Sequence, residues 1–107
     1  MKSDIEEITN AIIKFRDERE WSQFHTPQNL AMNLCIESSE LLENYLWNKN
    51  EDQQNIKEEL ADVFYSAFLI AKTYNFDVRE IVLEKLKSNE LKYPKDKVKG
   101  SNRKYIE

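Results

Sequence analysis

Apolar residues recur three and four apart along most of this chain, and polar interruptions divide the pattern into four segments. Ile5, Ile8, Ile12 and Phe15 mark the first stripe, and Ser3 with Glu6 forms an S-x-x-E capping box ahead of it. A helix is expected from Ser3 to about Glu20. The connection WSQFHT ends on Thr26-Pro27, an N-cap residue followed by proline at the first helical position, where a missing N–H costs nothing. The second helix is therefore placed over Pro27 to Trp47, with Leu30, Leu34, Leu41 and Tyr45 on its stripe. After the polar stretch NKNEDQQN, a third helix carries Ile56, Leu60, Val63, Ala67, Ile70 and Tyr74 and ends near Asn75. Asp77 and Glu80 repeat the capping-box pattern before a fourth, with Val78, Ile81, Val82 and Leu86, and Pro94 is expected to close the regular part.

Four helices with short connections predict an all-α, four-helix bundle over residues 3–91, followed by a tail over residues 92–107. A length of 107 residues is one domain's worth, and one Gly with two Pro leaves too little turn chemistry for many short strands. Ile13, Leu42, Leu46, Phe64 and Phe68 lie off the principal stripes, so a second apolar face is expected to be covered by another subunit in a homo-oligomer, a dimer or tetramer. No apolar run approaches the roughly 18 residues of a membrane span, and the start MKSDIEEI has no hydrophobic segment, so a cytoplasmic location without membrane attachment is expected. Cys35 and His25 are the lone cysteine and histidine, which excludes an internal disulfide and a four-ligand Cys/His zinc site.

The net charge of -4 divides unevenly, with -8 over residues 1–91 and +4 over residues 92–107. An acidic body disfavours duplex nucleic acid, which needs a broad positive face. A small phosphorylated ligand, met by a metal ion on one side and the basic tail on the other, fits this balance better.

The acids are placed in a pattern. On the second helix Leu30, Leu41 and Leu34 fall about 20°, 40° and 60° from Glu37, with Glu40 about 60° to its other side. On the third helix Ile70, Val63 and Ile56 hold the same angles to Glu59, and Asp62 the same place as Glu40. Two acid pairs thus border the apolar seam, whereas Glu43 and Glu58 point to solvent. Four converging carboxylates repel one another and lose hydration unless a cation sits among them. All-oxygen ligation suits Mg²⁺, with Mn²⁺ as the other choice. A ferritin-like di-iron centre would need Glu-x-x-His on two helices, and neither pair has a His three positions on.

At these residues the sequence resembles the MazG-like all-α nucleotide pyrophosphohydrolases, whose signature is E-x-x-E, a variable spacer and E-x-x-D. Glu37-Ser38-Ser39-Glu40 and Glu59-Leu60-Ala61-Asp62 match it. The run RDEREWSQFHTPQNLAMNLCIESSELLENYLW, with EELADV, SNELKYP and KGSNRKY, looks like the dCTP pyrophosphatase branch of that superfamily. The resemblance implies hydrolysis of a nucleoside triphosphate to the monophosphate and pyrophosphate, with Glu37, Glu40, Glu59 and Asp62 holding Mg²⁺ and Glu37 or Glu40 taking the water proton. It further implies base contacts from Trp21, Ser22, Gln23, Phe24, His25 and Trp47, and phosphate contacts from the tail residues Lys92, Tyr93, Lys99, Lys104 and Tyr105. Relatives often carry Tyr four positions after the last metal-binding Asp; here Ser66 stands there, with Tyr65 adjacent, so these two are the sugar or base candidates on the third helix. The competing expectations are a homologous activity on a noncanonical nucleotide or dUTP, and a helical interaction module without catalysis.

Overall fold

A computed structural model describes residues 3–46 and 52–101 of the chain. Among these residues there is no strand, and the helices are α1 (Asp4–Glu18), α2 (Pro27–Glu43), α3 (Gln53–Thr73), α4 (Val78–Lys92) and α5 (Lys95–Val98), with a 3-10 turn over Trp21–Phe24. The all-α class is as the periodicity predicts, and each foreseen cap is formed. Ser3 Oγ accepts from the Glu6 N–H at 3.2 Å, Thr26 Oγ1 from Asn29 at 3.1 Å, and Asp77 Oδ1 from Glu80 at 2.9 Å. Each bond satisfies a first-turn donor that has no partner within the helix.

The helix ends differ from the sequence expectation by a few residues. α1 stops at Glu18 because Glu20 adopts a left-handed backbone, φ 54°, and the chain enters the 3-10 turn. α3 stops at Thr73, two residues short, because Asn75 adopts φ 55°, a conformation that asparagine tolerates better than most residues. α2 ends at Glu43 with Asn44 as its cap, and Trp47 lies outside the described residues. Regular structure does not end at Pro94. Its carbonyl accepts from the N–H groups of Lys97 and Val98, so proline starts the one-turn α5 rather than terminating the chain's helices.

Two compact units make up the chain, residues 1–75 and 76–107. In the first, α2 and α3 pack along each other and α1 lies against α3. Among the described residues Leu30 and Leu69, each 1 % exposed, are the fully buried large side chains, and Ala71 is buried too. The predicted stripes are only partly covered: Leu34, Leu41, Ile56, Val63 and Ile70 are half-buried, whereas Ile8, Phe15, Tyr45 and Leu60 are exposed. Of the five residues off those stripes, Leu42, Leu46 and Phe64 are exposed and Ile13 and Phe68 half-buried. In the second unit α4 exposes Ile81, Val82, Leu83, Leu86 and Leu91. No described helix is long and apolar enough to cross a membrane.

Candidate active site

The packing of α2 on α3 brings the two acid pairs to one seam. Carboxylate oxygens of Glu37, Glu40 and Glu59 lie within 4.8 Å of one another, and all three side chains are half-buried. Asp62, exposed, raises the pKa of both Glu37 and Glu59 through its charge. Glu43 and Glu58 are exposed, as the wheel places them.

Lost hydration is the main cause that lifts the Glu37 carboxyl above its ordinary pKa, followed by the charges of Asp62 and Glu40, proton sharing with Glu40, and the charge of Glu59. Glu59 is lifted likewise, first by lost hydration and then by proton sharing with Glu40 and the charges of Glu40, Asp62 and Glu43. No Lys or Arg among the described residues forms an ion pair with any of these acids; the ion pairs seen are Arg16 with Asp17 and Arg19 with Glu18. Glu37 Oε2 and Glu59 Oε2 are buried and accept no hydrogen bond. Buried acceptors are ordinarily satisfied, so two orphaned carboxylate oxygens in one cluster mark a place for a cation. The donor set is wholly hard oxygen, and it fits Mg²⁺ or Mn²⁺.

Beside the seam, α1, the 3-10 turn and α3 enclose an open groove of about 870 Å³. Ile8, Ile12, Phe15, Trp21, Phe64 and Tyr65 are among its walls, with Asp62 at its lining. Phe15 is the hub. Trp21 meets it edge-on with ring centres 5.7 Å apart, Tyr65 does so at 6.1 Å, and the Arg19 guanidinium stacks 3.7 Å from its centre. The Tyr65 hydroxyl is buried without a partner, and burial raises its pKa against the opposing pull of Arg16 and Arg19. Asp62 thus belongs both to the acidic seam and to an aromatic groove large enough for a ligand.

The other expected base contacts lie near by without lining the groove. Ser22, Gln23 and Phe24 are exposed on the 3-10 turn; the Gln23 amide donates to the Glu20 carbonyl at 2.9 Å, and the Phe24 carbonyl accepts from the Asn29 amide at 3.1 Å. His25 is half-buried with Nδ1 unpartnered, and burial and then the charge of Arg16 hold its pKa below the ordinary value. Ser66 is 5 % exposed on α3 and is not among the residues that line the groove, whereas Tyr65 is. Lys92 ends α4, Tyr93 caps it and Lys99 caps α5, all in the second unit, while Trp47, Lys104 and Tyr105 lie outside the described residues. Phe15, Arg16 and Arg19 were not among the expected site residues. The signal was present in the sequence, since Arg19 stands four residues after Phe15 and two before Trp21.

Residues 32–107 match the model of the MazG-like family. The chain is 32 % identical to human dCTP pyrophosphatase 1 over 113 aligned residues, covering 96 % of this chain and 66 % of that protein. Its identity to the Bos taurus dCTP pyrophosphatase 1 is 31 %, covering 96 % of this chain and 67 % of the relative. It thus spans about two thirds of the length of these relatives. The fold is similar to the crystal structure of a pyrophosphatase from Archaeoglobus fulgidus, with a TM-score of 0.78 at 33 % identity, covering 88 % of this chain and 95 % of that one. With a family match over residues 32–107 and Glu37, Glu40 and Glu59 assembled at one seam, the chain belongs to the MazG-like family.

Proposed function

We propose that this protein is a Mg²⁺-dependent nucleotide pyrophosphohydrolase that converts a deoxynucleoside triphosphate, dCTP or a close relative, to the monophosphate and pyrophosphate. The observation that carries the reading is the cluster of Glu37, Glu40 and Glu59 within 4.8 Å, with two buried oxygens left without a partner. Glu37, Glu40, Glu59 and Asp62 hold the ion. When bound, it neutralises triphosphate oxygens and lowers the pKa of a nearby water.

The chain's own residues do the rest. Glu37 or Glu40 accepts the proton of the attacking water, whose oxygen bonds to the α-phosphorus as the bond from that phosphorus to the α–β bridging oxygen breaks and pyrophosphate leaves. Trp21 and its aromatic neighbours offer faces on which a base stacks, and the unpartnered Tyr65 hydroxyl and His25 Nδ1 offer polar contacts to its edge or its sugar. Lys92, Lys99 and Lys104 meet the β and γ phosphates. The exposed apolar residues of α1, α3 and α4 are covered by a second copy in a cytoplasmic homo-oligomer.

A second reading of the substrate is a homologous activity on a noncanonical triphosphate or dUTP: Ser66 stands where relatives often carry Tyr, and of these two candidates it is Tyr65 that lines the groove. The deciding experiment is pyrophosphate release from a panel of canonical and modified triphosphates, with Mg²⁺ and with chelator. Release from dCTP or a neighbour with Mg²⁺ alone is expected. No release from any triphosphate would leave a non-catalytic helical module.

A further inference from the structure

The acid seam belongs to a longer ladder between α2 and α3. Four residues beyond Glu40 stands Asn44, and four before Glu59 stands Asn55; the two amides meet, with Asn55 Nδ2 donating to Asn44 Oδ1 at 2.7 Å. One turn back along α2 and forward along α3, Glu40 meets Glu59, and one turn further Glu37 meets the charge of Asp62. Two turns beyond that, the same offset sets Leu30 against Leu69, and both are fully buried. All these rungs share one antiparallel register.

We propose that Asn44 and Asn55 are positioning residues, a pin that holds α2 and α3 at the one offset where the four metal-binding acids converge. The proposal rests on the metal-dependent reading above. Asn44 is 9 % exposed, and its orientation is set by its own network. Its Nδ2 donates to the carbonyls of Leu41 at 3.2 Å and Glu40 at 3.4 Å, so its oxygen must face Asn55. The Asn55 backbone N–H is capped by Asp52 Oδ1 at 3.1 Å, which fixes the first turn of α3 from the other side. This amide pair joins the C-cap of α2 to the first turn of α3, one helical turn from the acids.

A pin is needed because the acids oppose their own assembly. Like charges at the seam favour any offset that separates them, and apolar contacts discriminate weakly between neighbouring registers. A slip of one residue moves a helix about 1.5 Å and turns the facing side chain by about 100°, enough to carry Glu40 off Glu59. A part-buried amide pair penalises that slip, because moving either partner leaves the buried Asn44 oxygen without its donor. Two leucines at this rung would pack at least as well but would not specify the offset, as with a lone buried asparagine in a coiled coil.

The test compares Mn²⁺ binding to the full chain, read by the loss of the free-ion paramagnetic resonance signal, with thermal melting. The variants are N44L/N55L, N55A and N55Q. N44L/N55L is expected to keep its helicity and melt at or above the wild type, yet bind Mn²⁺ roughly 10- to 100-fold more weakly. N55A loses both stability and Mn²⁺ affinity, and N55Q, which restores an amide donor, binds Mn²⁺ more tightly than N55A. Wild-type Mn²⁺ affinity in N44L/N55L would overturn the proposal, as would N55Q no better than N55A. An unfolded N44L/N55L would assign the pair to stability alone and overturn it too. A wild-type protein that binds Mn²⁺ but hydrolyses no triphosphate would instead retire the pyrophosphohydrolase reading and leave the pin standing, whereas a wild type that binds no Mn²⁺ overturns both.

Discussion

Replacing Glu59 by glutamine keeps the shape of the seam and removes one negative charge, so it separates what the cluster costs from what it binds. Oxygens of Glu37, Glu40 and Glu59 lie within 4.8 Å of one another, and no cationic side chain among the described residues is paired to them. Metal-free E59Q should therefore melt above the metal-free wild type. Magnesium reverses the order. At a Mg²⁺ concentration about 100 times the dissociation constant, linkage stabilises the wild type by about 2.7 kcal/mol. For a domain of this size that is a rise in Tm of about 10–20 °C. If losing one ligand weakens binding about 100-fold, the same Mg²⁺ concentration only equals the new dissociation constant, and the gain falls to about 0.4 kcal/mol, or about 2–3 °C.

The pH dependence gives a second sign to check. The carboxyls of Glu37 and Glu59 have pKa values raised in the folded state, so their contribution to stability is fully present below the unfolded value and is lost as pH rises through the folded one. Without metal, the wild type should therefore gain stability as pH falls from neutral towards the ordinary carboxylic value of 4.5. With Mg²⁺ present the metal-induced rise should shrink over the same interval, because protons compete for the same oxygens. Calorimetric melts of wild type and E59Q, with Mg²⁺ and with chelator, at several pH values, read all four quantities. A full Mg²⁺-induced rise in E59Q, or a metal-free E59Q that melts below the wild type, would refute the reasoning.

Three further outcomes are expected. Leu69→Ala, at a site 1 % exposed, should cost about 2–5 kcal/mol in chemical denaturation, enough to leave the chain largely unfolded at 37 °C. Trp21→Ala should raise KM for the triphosphate by a factor of about 5–150, the equivalent of one stacking contact of about 1–3 kcal/mol, while leaving the Mg²⁺-induced rise in Tm intact. Deleting residues 95–107 should sharply lower turnover while circular dichroism keeps the helical signal; unchanged turnover would remove Lys99 and Lys104 from the phosphate site.

What could be read from the sequence was governed by locality. Capping depends on residues three apart, so Ser3 with Glu6, Thr26-Pro27 and Asp77 with Glu80 located three helix starts correctly. The acid pairs were legible for a related reason: a charged residue one wheel step from a leucine stripe conflicts with the local pattern, and the structure confirms Glu37, Glu40 and Glu59 at one seam. Helix ends were less legible, because Glu20 and Asn75 stop α1 and α3 through left-handed backbone conformations that no periodicity announces. The Phe15 hub and the amide rung were missed because each depends on the offset between elements. In the sequence Asn44 falls inside the expected second helix and Asn55 ends the polar stretch NKNEDQQN, and neither shows its partner until α2 and α3 are laid side by side.

The size of the core gives the acid cluster its significance. Among the described residues, two fully buried leucines and a buried alanine are a small apolar reserve against a seam of like charges that have lost hydration. On the proposed reading two additions close this gap, the divalent ion at the seam and the second copy over the exposed apolar residues of α1, α3 and α4. The groove that holds Trp21 and Tyr65 opens beside Asp62, on the same helix pair that α1 covers only in part. Metal binding and assembly therefore act on one element, α3, and each should raise the apparent affinity of the other. Mn²⁺ binding measured across a dilution series of the wild type should weaken as the oligomer dissociates, and an affinity independent of protein concentration through that dissociation would separate the two.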